Sequence, residues 1–320
     1  MRTLEEYRKA GKSVYERLHL ASYPVAIKYI KSEAEIPEGS IRPSAMGQQA
    51  SLCQAFTYAR RFGFSIAMTG KDCFCTAATA WHLWEEATPD EIIHSQILQG
   101  WHRDLEAETG VWDLYIKRWG KNYPEKMKGH IGFVCAPLHD AKLIPDSVLI
   151  YGNSLNLMHL IHAMVYDGKD FPSSDFSGFG ESCQKGGFVP YLTGVPQIVI
   201  PGFGDHSVAA THETEVAMGM PAEKIFKVDE NLFKTGGGMN VGQPPRTMMA
   251  MSLTEGITPG WPYLRERFEA HKKEKGGLAP KNVIARSRSK NVIARGPQAT
   301  KQSHRGLAVL SPEEVTDNDR

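Results

Sequence analysis

The five cysteines of this 320-residue chain are the residues whose type and spacing could do chemistry. Cys53 and Cys183 each fall at a predicted helix start, and Cys73 and Cys75 form a Cys-x-Cys pair. The free N–H groups and the dipole at a helix start favour an anion, so such positions are expected to lower a thiol pKa. A thiolate is the form that binds iron or zinc or attacks a substrate. The cysteines therefore indicate a metal or cluster site, although their spacing names no reaction.

The composition of the chain predicts a globular protein without a strongly charged partner. Lys and Arg number 37 against 36 Asp and Glu, a net charge of +1, so we expect no nucleic-acid or membrane partner. No segment approaches the roughly 20 apolar residues that span a bilayer. The first residues are charged where a secretion signal would be apolar, and the cysteine count is odd. These features predict a cytoplasmic protein.

Hydrophobic patterning predicts the fold class and the elements that would position these cysteines. The pattern indicates an α/β or α+β fold, with a mixed sheet and flanking helices. Helices are expected over 2–20, 51–61, 76–86, 154–166 and near 212–218, and strands over 25–30, 64–68, 131–136, 148–152 and 197–202.

A weak internal sequence similarity suggests two pseudo-repeated halves. In the first half a predicted strand precedes Ser51-Leu52-Cys53-Gln54 and a second strand that stops at glycine. In the second half a predicted strand precedes Ser182-Cys183-Gln184 and another strand that stops at glycine. If the halves arose by duplication, Cys53 and Cys183 occupy equivalent places and would converge on one central site.

The predicted division of the chain has two halves and a tail. An N-terminal half covers 1–130 and carries a helical insertion at about 90–128, and a C-terminal half covers 131–270. Residues 271–320 are rich in Lys, Arg, Ser and Gly and repeat the hexamer KNVIAR. Such a basic tail is expected to be flexible or to drape over a partner.

A second candidate site is the glycine-rich loop that ends in Asp205 and His206. The sequence Gly202-Phe203-Gly204 follows a predicted strand, where backbone N–H groups can hold an anion. Asp205 could orient His206 as a general acid or base. The third glycine of a dinucleotide fingerprint is lacking, so that reading is excluded. The alternative is a plain turn with a solvated histidine.

Short motifs along residues 5–235 resemble the ArCR family, an archaeal and bacterial group long labelled a domain of unknown function. The motifs recur in the family's order, so the chain is identified as a member from its sequence. They are Pro24-Val25-Ala26-Ile27-Lys28, Ser51-Leu52-Cys53-Gln54, Asp72 with Cys75, Ala136-Pro137-Leu138, Pro145-Asp146-Ser147-Val148, Tyr151-Gly152-Asn153, Phe176-Ser177-Gly178 with Cys183, and Pro201-Gly202-x-Gly204-Asp205.

What the resemblance implies concerns the cysteines more than a reaction. The family's cysteines fall at Cys53, Cys75 and Cys183, which suggests a metal or iron–sulfur role. The chain departs from the family at His206, where Arg is frequent, and at Thr76-Ala77, where Pro-Gly follows the second cysteine. These departures suggest a specialised pocket or partner face, so no relative's activity is carried over.

An iron–sulfur cluster held by Cys53, Cys75 and Cys183 is the expected cofactor, most simply a [4Fe–4S] cluster. Iron–sulfur is preferred to zinc because the chain has no Cys-x2-Cys pair. Cys73 could replace one ligand, and Cys135 lies in an apolar strand where a core role is expected. The alternative is that all these cysteines are buried, metal-free core residues.

Three functions therefore stand at this stage. The first is an iron–sulfur lyase, hydratase or oxidoreductase acting on a small molecule, with an open iron as Lewis acid and His206, oriented by Asp205, as the proton carrier. The second is an electron-transfer or cluster-carrier subunit with a redox partner. The third is a metal-free protein that binds a small molecule. A homo-oligomer is compatible with each.

Overall fold

The structure is a computed structural model in which the chain divides into two compact units, Met1–Met249 and Ala250–Arg320. In the second unit it describes only 267 and 269–271, which are helical and exposed. The basic tail predicted at 271–320 thus lies almost wholly outside the described residues. In the first unit the described residues are 2–84, 100–120, 122–173, 175–178 and 180–235.

A single six-stranded sheet forms the centre of the first unit within its described residues. The order of strands is β2-β3-β1-β4-β6-β5, and every ladder between them is antiparallel. Parallel pairing occurs there only as isolated bridges. The predicted α/β or α+β class is therefore confirmed, in its α+β form. The strands are β1 (Val25–Ile30), β2 (Ile66–Thr69), β3 (Gly132–Pro137), β4 (Ser147–Gly152), β5 (Gln197–Val199) and β6 (Val216–Pro221).

The strand order has an approximate twofold symmetry. β1 and β4 pair at the centre of the sheet, β3 and β6 flank them, and β2 and β5 form the edges. From the centre of the sheet outward, β1, β3 and β2 on one side correspond to β4, β6 and β5 on the other. This order supports the predicted pseudo-repeat, whereas the boundary at 130–131 remains a prediction.

The helices lie on both faces of the sheet and begin where the sequence provides caps. Ser51 and Asn153 each complete a capping box, in which the cap side chain and a side chain three residues on exchange hydrogen bonds with backbone N–H groups. The helices are α1 (Leu4–Arg17), α2 (Leu52–Phe62), α3 (Thr76–Trp81), α4 (Leu105–Trp119), α5 (Tyr123–Met127), α6 (Ser154–Val165), a π-helix (Ser182–Phe188), α7 (Val189–Thr193), α8 (Phe203–Ser207) and α9 (Lys224–Asn231).

The helix predicted near 212–218 is wrong, because Val216–Pro221 is strand β6. Its residues pair with β4 on one side and β5 on the other. A short apolar run cannot be assigned to helix or strand by periodicity alone, and the pairing partners decided it. The predicted insertion is helical at α4 and α5, and 85–99 lie outside the described residues.

Alternating side chains of the sheet enter two separate cores. Ile27 and Leu149 face a core shared with α2, α3, α4 and the π-helix. Ala26 and Val148 face the opposite core, shared with α1, α6 and α9. This alternation follows from the twofold period of a strand. Cys75 and Cys183 pack against the first core, and Cys53 lies on α2 beside the core residue Leu52, so the candidate site belongs to that face.

Candidate functional site

A cavity of about 250 Å³ opens beside the face of the sheet that carries α2 and the π-helix. Its wall contains the thiol-bearing residues Cys53, Cys75 and Cys183. It also contains two buried acidic residues, Glu181 and Asp205. The three cysteines predicted to act together are thus brought to one cavity from three separate segments of the chain.

Cys53 reaches the cavity from the first turn of α2. Ser51 caps this helix by accepting the Gln54 N–H at 3.1 Å, which determines where the helix begins. The Cys53 Sγ lies 3.1 Å from the Ser51 Oγ. A Cβ on Gly204 would lie 3.4 Å from that sulfur, an ordinary contact distance, so the loop after β5 lies directly beside the thiol.

Cys183 is held by a π-helix that packs unusually closely on the sheet. A Cβ placed on Gly219 of β6 would lie 2.1 Å from the Lys185 carbonyl oxygen, so only glycine allows this approach. π-helical turns are rare and occur frequently at functional sites. The close packing determines the position of Cys183, whose Sγ lies 3.5 Å from the Gly180 carbonyl oxygen.

Cys73 and Cys75 face different surroundings although one residue separates them. Cys73 is 5% exposed and belongs to the core, and Cys75 is the residue that lines the cavity. In extended backbone such i and i+2 side chains would share one face, so the turn into α3, which begins at Cys75, separates their surroundings. The structure therefore does not bring the possible substitute ligand Cys73 to the cavity wall. Cys135 is fully buried in β3, which confirms its predicted core role.

Asp205 is a cavity residue with one oxygen bonded and one not. It is 3% exposed, and its Oδ2 accepts the Gly202 N–H at 2.9 Å. The Ser182 hydroxyl is near, but Oδ1 has no partner in hydrogen-bonding geometry. Burial raises the pKa of this carboxyl, and the Gly202 amide opposes the rise.

His206 is the predicted proton carrier that the structure separates from the cavity. Its side chain is exposed, and its Nδ1 lies 3.1 Å from the Thr211 carbonyl oxygen. It forms no part of the cavity wall made by the described residues. The Asp205 Oδ2 accepts the Gly202 N–H. Among the described contacts there is no hydrogen bond between the Asp205 carboxylate and His206 that would orient the imidazole.

Glu181 is a cavity residue that sequence reasoning missed, and its bonds indicate a structural role. Its Oε1 accepts three hydrogen bonds, from the Ser177 N–H, the Ser177 hydroxyl and the Gly178 N–H. Its Oε2 lies 2.5 Å from the Nζ of Lys185, which is 1% exposed. This buried pair fastens the segment before the π-helix and neutralises the carboxylate.

The mouth of the cavity is aromatic, which sequence reasoning also missed. Phe74 and Phe203 are each about half exposed at the wall, and the Trp101 ring contacts Phe203 with a centroid separation of 4.5 Å. Trp81 lies deeper and is 1% exposed. The available signal was position, since Phe74 separates the two cysteines of Cys-x-Cys and Phe203 separates two glycines.

The expectation of thiolates at neutral pH is wrong for the metal-free protein. Burial raises the pKa of Cys53 to about 12, and the nearby Asp205 carboxylate adds to the rise. The pKa of Cys75 is raised by burial, and that of Cys183 is raised well above the usual range by burial and then by the Cys53 and Cys75 thiols. Loss of water outweighs the helix-start effect, because an isolated charge is costly there.

The donor set in the wall fits an iron–sulfur cluster in its chemistry. Three cysteine sulfurs are the usual protein ligands of such clusters, and all three cysteines line this one cavity. Among the residues that the structure describes, no three Cys, His, Asp or Glu side chains stand close enough to hold one metal ion. A cluster has several irons and spreads its ligands more widely than one ion does.

Comparison with known proteins gives a family and no activity. The model of a family described as uncharacterised ArCR matches residues 13–231. The uncharacterised protein MJ0308 of Methanocaldococcus jannaschii is 26% identical over 230 residues, which cover 71% of this chain and 94% of that protein. No solved structure matches significantly. Within the described residues, the helices are too short or too polar to cross a membrane.

Proposed function

This chain belongs to the uncharacterised ArCR family, and from its own cavity we propose an iron–sulfur enzyme that acts on a small molecule. The observation that carries the proposal is that Cys53, Cys75 and Cys183 line one cavity of about 250 Å³. Buried core cysteines would have no reason to share the wall of one opening. The cavity as a whole is smaller than the usual site of a drug-sized ligand, about 300–1,000 Å³, so it suits a small occupant and is too small for a protein segment.

The three cysteines would hold the cluster, and the wall would place the substrate against it. When bound, a cluster with three protein thiolates supplies an iron that acts as a Lewis acid toward a substrate oxygen. Binding requires the thiols to lose their protons, because thiolate is the ligand form. The raised pKa values of Cys53 and Cys183 therefore make uptake of the cluster a proton-releasing step.

Asp205 is the group in the wall best suited to move a proton. It is buried beside Cys53, and burial raises its pKa, so this carboxyl takes up a proton more readily than an exposed aspartate does. His206, which the sequence predicts as the proton carrier, has an exposed side chain, and its Nδ1 lies near the Thr211 carbonyl oxygen. Proton transfer next to a Lewis acid is the chemistry of a lyase or hydratase.

The first test compares cysteines inside and outside the cavity. Anaerobically purified protein is expected to contain about four irons and four acid-labile sulfides per chain with a broad visible absorbance. Cys53→Ala, Cys75→Ala and Cys183→Ala should each lose most of this iron. Cys73→Ala and Cys135→Ala should keep it, because those side chains are buried in the core. Equal retention of iron in all five variants would contradict the proposal.

The second candidate function is an electron-transfer subunit, favoured by the exposed rim of Phe74 and Phe203 that a partner could cover. The open cavity favours the enzyme instead, because electron transfer needs no substrate space. Reduction and reoxidation without a spectral response to any added hydroxy acid or other small molecule would support the subunit. A protein that folds with neither iron nor zinc would support metal-free binding.

A further inference from the structure

The twofold order of the sheet makes Cys53 and Cys183 structural counterparts. Cys53 lies at the helix start between β1 and β2, and Cys183 lies at the helical segment between β4 and β5. β1 and β4 are the central pair of the sheet, and β2 and β5 are its two edges. The two thiols therefore approach the cavity from symmetry-related positions, as the sequence similarity between the two predicted halves indicates.

The same symmetry assigns a counterpart to Cys75. Cys75 lies six residues beyond Thr69, the last residue of β2. Asp205 lies six residues beyond Val199, the last residue of β5. Both residues stand at or in a short helix after an edge strand, and both line the cavity. Asp205 thus occupies the place where a symmetric protein would carry a fourth cysteine.

The carboxylate of Asp205 keeps one oxygen without a well-formed hydrogen bond, although Ser182 lies near it. It is 97% buried, and its Oδ1 has no partner in hydrogen-bonding geometry. An unsatisfied buried oxygen costs free energy, so native proteins rarely leave one. Glu181 differs in that its Oε2 also lacks a hydrogen bond but is 2.5 Å from the Lys185 ammonium, whereas no cation of the described residues lies against Asp205 Oδ1 in an ion pair.

We infer that Asp205 is the fourth protein ligand of the cluster and binds through Oδ1 the iron that the three cysteines leave open. This inference rests on the proposed function, since it requires a cluster at the cavity. A carboxylate is a harder ligand than a thiolate, so an iron held by Asp205 exchanges ligands more readily than one held by a fourth cysteine. The oxygen of a small molecule would displace Asp205 from this iron, and the freed carboxylate would then take up the proton that the proposed function assigns to it.

The test measures how readily one iron leaves the cluster. Anaerobic protein is oxidised with ferricyanide, and the iron released and the electron paramagnetic resonance signal of a [3Fe–4S] cluster are followed with time. Relative to the unaltered protein, Asp205→Ala should lose one iron roughly tenfold faster, and Asp205→Cys should lose it roughly tenfold more slowly. His206→Ala is the control and should match the unaltered protein, because its side chain is exposed outside the wall.

A second variant keeps the test valid if Asp205→Ala does not fold. Asp205→Asn preserves the shape of the side chain, and its amide oxygen can still accept the Gly202 N–H. Because a neutral amide is a poor iron ligand, folded Asp205→Asn should also lose iron rapidly. Unchanged rates in Asp205→Asn and Asp205→Cys, with cluster present, would overturn the assignment of Asp205 alone. Absence of iron and sulfide from the unaltered protein would overturn the proposed function itself.

Discussion

At the scale of single residues, Asp72 shows how a buried charge positions the site. It is fully buried, and its two oxygens accept hydrogen bonds from the backbone and hydroxyl groups of Ser44 and Thr69 and from the Arg42 guanidinium. Burial raises the pKa of the carboxyl, but Ser44, Thr69 and Arg42 together bring it below the ordinary value. These bonds hold the turn that leads directly to Cys75.

Asp72→Asn is expected to destabilise the protein by about 2–4 kcal/mol at pH 7, because it presents an NH₂ group to donors and removes a buried charge from its partners. Urea unfolding measures the change. Asp113→Asn is the control, since Asp113 is exposed on α4, and should change stability by less than about 0.5 kcal/mol.

The effect of Asp72 should also depend on pH in one direction. A carboxyl whose folded pKa is lowered binds fewer protons when folded, so its contribution is complete above the ordinary value of 3.8. It is lost as the pH falls from there through the folded pKa. The stability gap between the unaltered protein and Asp72→Asn should therefore narrow below pH 3.8, and a gap that stays constant down to acid pH would contradict this account.

At the scale of elements, the packing of the π-helix on β6 determines where Cys183 lies. Gly219 pairs with Leu149 and Gln197 across the sheet, and the backbone of Lys185 and Gly186 lies directly over it. No side chain fits between the two elements at this point. The π-helix is therefore positioned by contact of backbone with backbone, and a small displacement would move its thiol.

Gly219→Ala should be destabilising by several kcal/mol, because its Cβ would overlap the Lys185 carbonyl oxygen. Thermal unfolding measures this, and iron content in the folded fraction should fall as Cys183 is displaced. Gly110→Ala on α4 is the matched control. Nothing lies within 4 Å of a Cβ there, so alanine should stabilise the helix by up to about 1 kcal/mol. Equal stability of the two variants would show that the π-helix can move aside.

At the scale of the whole molecule, the two predicted halves are joined by a continuous sheet and a buried ion pair. Arg60 of α2 is fully buried and meets both oxygens of Glu215, at 2.5 and 3.1 Å. Its guanidinium also lies 4.0 Å from the centroid of the Tyr151 ring in β4. Contacts of this kind bind residues from both halves within the unit Met1–Met249.

A chain ended at Met249 should therefore fold and keep its cluster. We expect one cooperative thermal transition, with a midpoint within about 3 °C of that of the full chain, since the unit buries its own cores. Calorimetry and iron analysis provide the measurement. Two separate transitions would indicate halves that fold independently. Loss of iron without loss of fold would show that Ala250–Arg320 contributes to the site.

Much of the fold and part of the site could be predicted from the sequence, because the signals are local. The Ser51 and Asn153 capping boxes mark helix starts through side-chain bonds that span three residues. Apolar runs predict most of the strands, and the similarity of Ser51-Leu52-Cys53-Gln54 to Ser182-Cys183-Gln184 predicts equivalent places for Cys53 and Cys183. Each of these inferences depends on neighbours along the chain.

Tertiary structure alone decided the features that depend on contacts between distant segments. Val216–Pro221 is a strand because β4 and β5 pair with it. Burial, which comes from the assembled core, raises the thiol pKa of Cys53 that its helix start would lower. The choice of Asp205 over His206, and of Cys75 over Cys73, follows from which side chain faces the cavity. The sequence by itself determined the reactive groups, and the packing of distant segments decided their protonation and their neighbours.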